Sequence, residues 1–128
     1  MGGSGVVLPR SASAPLMAVI SLNDQRITVY DAQGKILQAP VSTGRREYET
    51  PAGVYSILEK NREHYSNLYD DASMPFMQRI TWSGIALHAG ALPGYPASHG
   101  CIRVSNPAMD MIWVANLLPM GSRVVIHD

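Results

Sequence analysis

At 128 residues, 46% of them apolar, the chain is long enough for one domain with a modest core and too apolar for disorder. Ten Lys and Arg balance ten Asp and Glu, so no excess charge points to nucleic acid or an anionic membrane, and no apolar run approaches the roughly 18 residues of a bilayer span. One cysteine, Cys101, excludes an internal disulfide, so bridges say nothing about redox compartment.

The opening MGGSGVVLPRSASAPL lacks the basic start and apolar centre of a signal peptide. MGGSG reads as an appended scar on a trimmed chain, so residues 1–13 are expected to be a flexible N-terminal segment and 14–128 one domain. LMAVISL is then an apolar strand, ND a turn, and QRITVYD a strand with Ile27 and Val29 on one face and Thr28 and Tyr30 on the other. After AQG, a second turn, KILQAPVST continues an antiparallel meander. GRREYETPAG reads as loop and VYSILEK as a strand. Residues 60–76 show no clean period, which predicts a long functional loop carrying Tyr65, Tyr69, Met74 and Phe76. QRITW and IALHA read as strands around Ser83-Gly84, GALPGYPASHG as loop, and CIRV as a short strand. SNPAMDMIWVANLLP predicts a helix, with Ser105 or Asn106 as N-cap, Pro107 in the first turn and Pro119 and Gly121 ending it. Met109, Ile112, Trp113 and Leu117 form its core-facing stripe. SRVVIHD closes a domain that is mainly β with one main helix.

The stretch LHAGALPGYPASHGCIR sets the thiol two residues after His99 and two before Arg103, with His88 upstream. A lone cysteine can be a small buried hydrophobe, a metal ligand or a nucleophile. In extended chain, residues two apart share a face, so His99, Cys101 and Arg103 would point together and flanking cations would favour the reactive thiolate. Gly100 allows close backbone approach, successive amides can stabilise an oxyanion, and His88 is the natural base. Each residue also has an ordinary reading: His88 as a satisfied core histidine, Arg103 as a surface or ion-pair residue. Zinc on His88, His99 and Cys101 matches none of the paired ligand spacings. His64 and His127 read as surface residues and Asp70-Asp71 as solvated loop.

SHGCIR, with a histidine thirteen positions before its cysteine, resembles the signature of the L,D-transpeptidase (YkuD-type) catalytic domain. The likeness extends to Ser42-Thr43-Gly44, to Thr50-Pro51-Ala52-Gly53 and to MPFMQRITWSGIALHAG, and covers about residues 16–128. It implies a β-sandwich of mixed and antiparallel sheets with one main α-helix after the catalytic cysteine. It assigns Cys101 as nucleophile, His88 as general base and the Ala89 carbonyl as the group that orients it. It also assigns an oxyanion hole around His99, Gly100 and Cys101, and Arg103 as a support for the site or the donor. Tyr65, Tyr69, Met74, Phe76 and Ser98 become candidate substrate contacts. The implied reaction takes a peptidoglycan stem tetrapeptide through a Cys101 thioester to an acceptor amine, releasing D-alanine and cross-linking two third-position residues. Water or a D-amino acid as acceptor would instead give carboxypeptidase or exchange activity. No metal or cofactor is implied, and the substrate places the activity in the bacterial envelope, in the periplasm. Sortases carry their arginine well downstream, and in NlpC-type peptidases the cysteine precedes the histidine, so both fit less well. A catalytically silent peptidoglycan-binding module is the rival of another class.

Overall fold

The computed structural model describes residues 14–65 and 73–128, so the expectations for residues 1–13 and for Tyr69 lie outside the described residues. Among the described residues, nine strands and one α-helix run in the order β1 (Met17–Ser21), β2 (Arg26–Asp31), β3 (Gly34–Ser42), β4 (Gly53–Ser56), β5 (Glu59–Tyr65), β6 (Ser73–Arg79), β7 (Ala86–Ala89), β8 (Ile102–Val104), α1 (Asn106–Val114) and β9 (Arg123–His127). A 3-10 turn, Arg46–Tyr48, interrupts the connection from β3 to β4. The strands form one sheet in the order β4-β9-β1-β2-β3-β8-β7-β6-β5.

The expected meander is present: β1 to β3 pair antiparallel, with Ile27 and Val29 buried from one face of β2. Two pairings are parallel, β1 with β9 and β7 with β8, and parallel neighbours need long crossovers. The crossover from β7 to β8 is the Gly/Pro loop that ends at Cys101. β4 and β5 occupy opposite edges of the sheet, yet Ser56 and Glu59 are three residues apart, a span of at most about 11 Å. The sheet therefore curls until its edges meet, and Ile57, between them, donates its amide to Ser122 O at 3.0 Å while Leu58 donates to Arg79 O at 2.8 Å. The two halves enclose one core, in which Ile20, Ile27, Leu37, Leu87, Ile102 and Met109 are among the fully buried side chains. This is the expected mixed, sandwich-like β architecture with one helix after the cysteine.

Three local expectations are corrected. VYSILEK is not one strand: it breaks at Ile57–Leu58, where the chain passes from one sheet edge to the other. Residues 60–76 are not all loop, since β5 and β6 pair antiparallel from Glu59↔Arg79 to Tyr65↔Ser73. The helix ends at Val114, well before Pro119. Asn116 takes φ 50°, its amide donates to Trp113 O at 3.2 Å, and Leu117 donates to Ile112 O at 2.9 Å. Those two bonds are a Schellman motif with asparagine in the left-handed position. Met109, Ile112 and Leu117 are buried as expected, but Trp113 is only partly so and stacks on Phe76, with ring centroids 5.7 Å apart. Among the described residues no helix is long and apolar enough to cross a membrane.

Candidate active site

His88 sits in β7 and Arg103 in β8, directly paired across the parallel ladder, so both side chains leave the same face. Cys101, two residues before Arg103, shares that face. A cleft of about 150 Å³ opens there, lined by His88, Ser98, His99, Cys101 and Arg103 from the expected set, and by Ser73, Met74, Ser83, Gly84 and Ile85 from β6 and the turn before β7.

The histidine is fixed by one bond. Its Nδ1 lies 2.8 Å from Ala89 O, and a carbonyl oxygen only accepts, so Nδ1 carries the proton and Nε2 keeps its lone pair. Burial pushes the imidazole below its usual range, and Arg103 and His64 add to this, while the Ala89 bond works the other way. The Cys101 Sγ donates to Gly84 O at 3.5 Å. Burial pushes the thiol up; the Ala86 amide, Arg79 and Arg103 oppose this without overcoming it. The expectation of a thiol lowered by flanking cations is thus reversed, because burial outweighs them. Both shifts favour a neutral thiol and a neutral imidazole in the same cleft.

The loop that carries the thiol is clasped by the chain after β3. Thr43 O accepts from the amides of Ala97 (3.0 Å) and Ser98 (3.1 Å), and Arg45 donates its amide to Ser98 O (2.9 Å). Thr50 Oγ1 donates to Gly100 O at 2.6 Å and accepts from the Gly44 amide at 2.9 Å. A Cβ on Gly44 would stand 1.8 Å from Tyr48 O and 2.9 Å from Thr50 N, so only glycine lets the clasping segment fold back on itself and bring Thr50 against Gly44. Gly100 takes φ +125°, a conformation that turns the chain sharply into Cys101 and that other residues adopt only under strain.

Several expected residues hold different positions. Ser98, 4% exposed, donates its hydroxyl to Cys101 O at 2.5 Å and accepts the Gly100 amide at 3.0 Å, so its polar contacts are with the loop itself. His99 is exposed at the rim, its ring 4.8 Å from that of Tyr48, over which Arg45 also lies. Arg103 donates from Nη2 to Ala97 O at 3.4 Å. Met74 reaches the cleft, whereas Tyr65 and Phe76 are not among its lining residues. Phe76 lies against Trp113, with the Arg62 guanidinium 5.6 Å from its ring. Among the described residues no group of three His, Cys, Asp or Glu side chains is close enough to hold a metal ion, so His88, His99 and Cys101 do not form such a set. Sequence reasoning missed Thr50, Gly84 and Arg79. Thr50 sits in a segment noted only for its likeness, while the other two act through a backbone carbonyl and a cross-strand position that no local spacing reveals.

Residues 16–126 match the model of the YkuD family, the L,D-transpeptidase catalytic domain. The chain belongs to that family. It is 33% identical over 105 residues to "Probable L,D-transpeptidase 3" of Mycobacterium tuberculosis, an alignment covering 70% of this chain and 38% of that protein. Among solved structures, an L,D-transpeptidase from M. tuberculosis H37Rv matches with a TM-score of 0.80 at 28% identity, over 88% of this chain and 57% of that one. L,D-transpeptidase 3 from the same organism, in complex with a faropenem-derived adduct, matches with a TM-score of 0.77 at 27% identity, over 88% and 60% of the two chains. This L,D-transpeptidase domain thus spans less than two thirds of the length of each of these relatives.

Proposed function

We propose that this domain is a peptidoglycan L,D-transpeptidase of the bacterial envelope, acting in the periplasm, with Cys101 as nucleophile and His88 as general base. The observation that carries the reading is the His88–Ala89 bond, which leaves Nε2 unprotonated in the cleft that also holds the thiol. As Sγ attacks the carbonyl of the third stem residue, its proton passes to Nε2. The bond to D-alanine then breaks, the same proton leaves with the D-alanine amine, and a thioester holds the stem. An acceptor amine attacks the thioester and gives up a proton to His88, which returns it to the departing sulfur. Donor and acceptor are thereby cross-linked through their third residues.

The Gly100 amide already bonds Ser98, so the oxyanion role falls to the Cys101 amide in this scheme. Met74 would touch the donor from the cleft wall, and Arg103 would hold the loop through Ala97. Tyr65, at the end of β5, is a candidate contact for the rest of a long substrate, as is Tyr69, which lies outside the described residues.

The test is a disaccharide-tetrapeptide digest analysed by mass spectrometry, with wild type beside Cys101→Ala and His88→Ala. A dimer lacking one D-alanine, absent with both variants, is the expected result. Tripeptide alone would make water the acceptor and the domain a carboxypeptidase, and exchange of the terminal D-amino acid would name a third acceptor. No product from wild type would leave a silent binding module. The faropenem adduct of the relative suggests a companion assay: faropenem should add mass to wild type and none to Cys101→Ala.

A further inference from the structure

One cross-strand row beside the cleft carries four side chains of contrasting character. Glu59 on β5 pairs with Arg79 on β6, and Arg79 pairs with Ala86 on β7. Leu87 pairs with Ile102, so the preceding row brings Ala86 level with Cys101. Level residues on adjacent strands share a face. The row therefore reads carboxylate, guanidinium, methyl, thiol, and the buried Ala86 puts nothing longer than a methyl group between Arg79 and Cys101.

One ion-paired hydrogen bond and one close approach locate the guanidinium beside this row. Its Nε donates to Glu59 Oε1 at 2.7 Å. Its Nη1 lies 3.9 Å from where a Cβ on Gly84 would stand, and Gly84 is the residue whose carbonyl accepts from Sγ. Arg79 is 18% exposed, which spares part of its field from solvent screening, while Glu59 is half exposed. The other charged or titratable groups near the thiol are Arg103 on its own strand, His88 on β7 and His99 on the loop, with His64 further along β5. Arg103 is directed to Ala97 O, and His88 becomes cationic only after it takes the thiol proton.

We propose that Arg79, held by Glu59, is a positioning residue of the site, a fixed cation that stabilises the Cys101 thiolate while its proton moves to His88. Arg79 does not touch substrate in this arrangement; it acts through the sulfur. Glu59 offsets part of its charge, so the ion pair sets how reactive the thiol is. The inference rests on Cys101 as nucleophile, but its test needs no peptidoglycan.

The experiment is the pH profile of Cys101 alkylation by iodoacetamide in the intact domain, for wild type, Arg79→Gln, Arg79→Lys, Glu59→Gln and, as a charge control on the next strand, Arg62→Gln. Arg79→Gln should move the midpoint to higher pH and slow alkylation about threefold at pH 7. Arg79→Lys should restore most of that loss, and Glu59→Gln should move the midpoint to lower pH. Arg62→Gln should overlay wild type. A folded Arg79→Gln protein whose profile matches wild type, or Arg62→Gln, would overturn the proposal. If Arg79→Gln does not fold, Glu59→Gln decides: a lower midpoint supports the role, and an unchanged or higher one removes it. Should wild type make no cross-link while these profiles keep the expected order, the acyl-transfer reading fails and the tuning of the thiol stands.

Discussion

Two hydroxyl groups hold the shape of the loop around Cys101. Thr50 bridges Gly44 N–H and Gly100 O, and Ser98 bridges Gly100 N–H and Cys101 O, so every backbone group they satisfy adjoins Cys101 or its clasp. Both side chains are buried, and a buried backbone group that loses its partner costs about 1–3 kcal/mol. Thr50→Val keeps the shape and removes both bonds, so it should lower stability by roughly 2–3 kcal/mol in urea unfolding and reduce turnover as well. Ser98→Ala separates two roles that the motif alone leaves mixed. If Ser98 positions the loop, kcat should fall several-fold with KM for the tetrapeptide little changed. A rise in KM with kcat intact would instead make Ser98 a substrate contact.

At the scale of the element, the β5–β6 hairpin stands over the cleft yet is anchored on its far side. Phe76 stacks on Trp113 of α1, Lys60 Nζ lies 5.0 Å from the Trp113 ring centroid, and Arg62 lies over Phe76. A tilted aromatic pair flanked by two cations is worth about 1–2 kcal/mol beyond the area it buries. Phe76→Ala should therefore lower Tm and speed hydrogen exchange in β5 more than in β1 or β2; equal acceleration across the sheet would mean that Phe76 serves the core as a whole. The hairpin is also where the sequence was hardest to read. β5 is an edge strand with little buried area, so EKNREHY shows charge on both faces and no hydrophobic alternation, and Pro75 further disguises β6. The meander was legible because Ala18, Ile20, Ile27 and Val29 face one core from strands joined by short polar turns. The helix start was legible from Ser105 and Pro107, but its end was not. Asn116 closes it ahead of the proline, and Leu117 and Leu118 continue the apolar pattern as buried non-helical chain. At the site, the shared face of Cys101 and Arg103 was legible from their two-residue spacing, and the Gly/Pro loop folds back to bring His88 into the same cleft. The sign of the thiol shift was not, because burial is set by Met74, Met77 and Ala86, which converge on Cys101 only in three dimensions.

For the molecule as a whole, burying a neutral thiol and a neutral imidazole together makes stability depend on pH from both sides. The folded-state value of His88 lies below the ordinary imidazole value of about 6.5, so between the two the unfolded chain binds more protons than the folded one. Stability therefore falls as pH drops through 6.5, by up to about 1.4 kcal/mol per pH unit, until the folded-state histidine itself protonates. Cys101 acts in the opposite sense. Its folded-state value lies above that of a free thiol, about 8.5, so over that interval the folded chain binds more protons and stability falls as pH rises. The dyad thus contributes a plateau between about pH 6.5 and 8.5 with a slope at each end. In a series of Tm measurements from pH 5 to 10, His88→Gln should flatten the acid slope and leave the alkaline one, and Cys101→Ala should do the reverse. Curves that stay parallel to wild type across the whole range would mean that neither group is held neutral by the fold. A thiolate–imidazolium pair, held by the arginines rather than by burial, would instead reverse the sign of both effects.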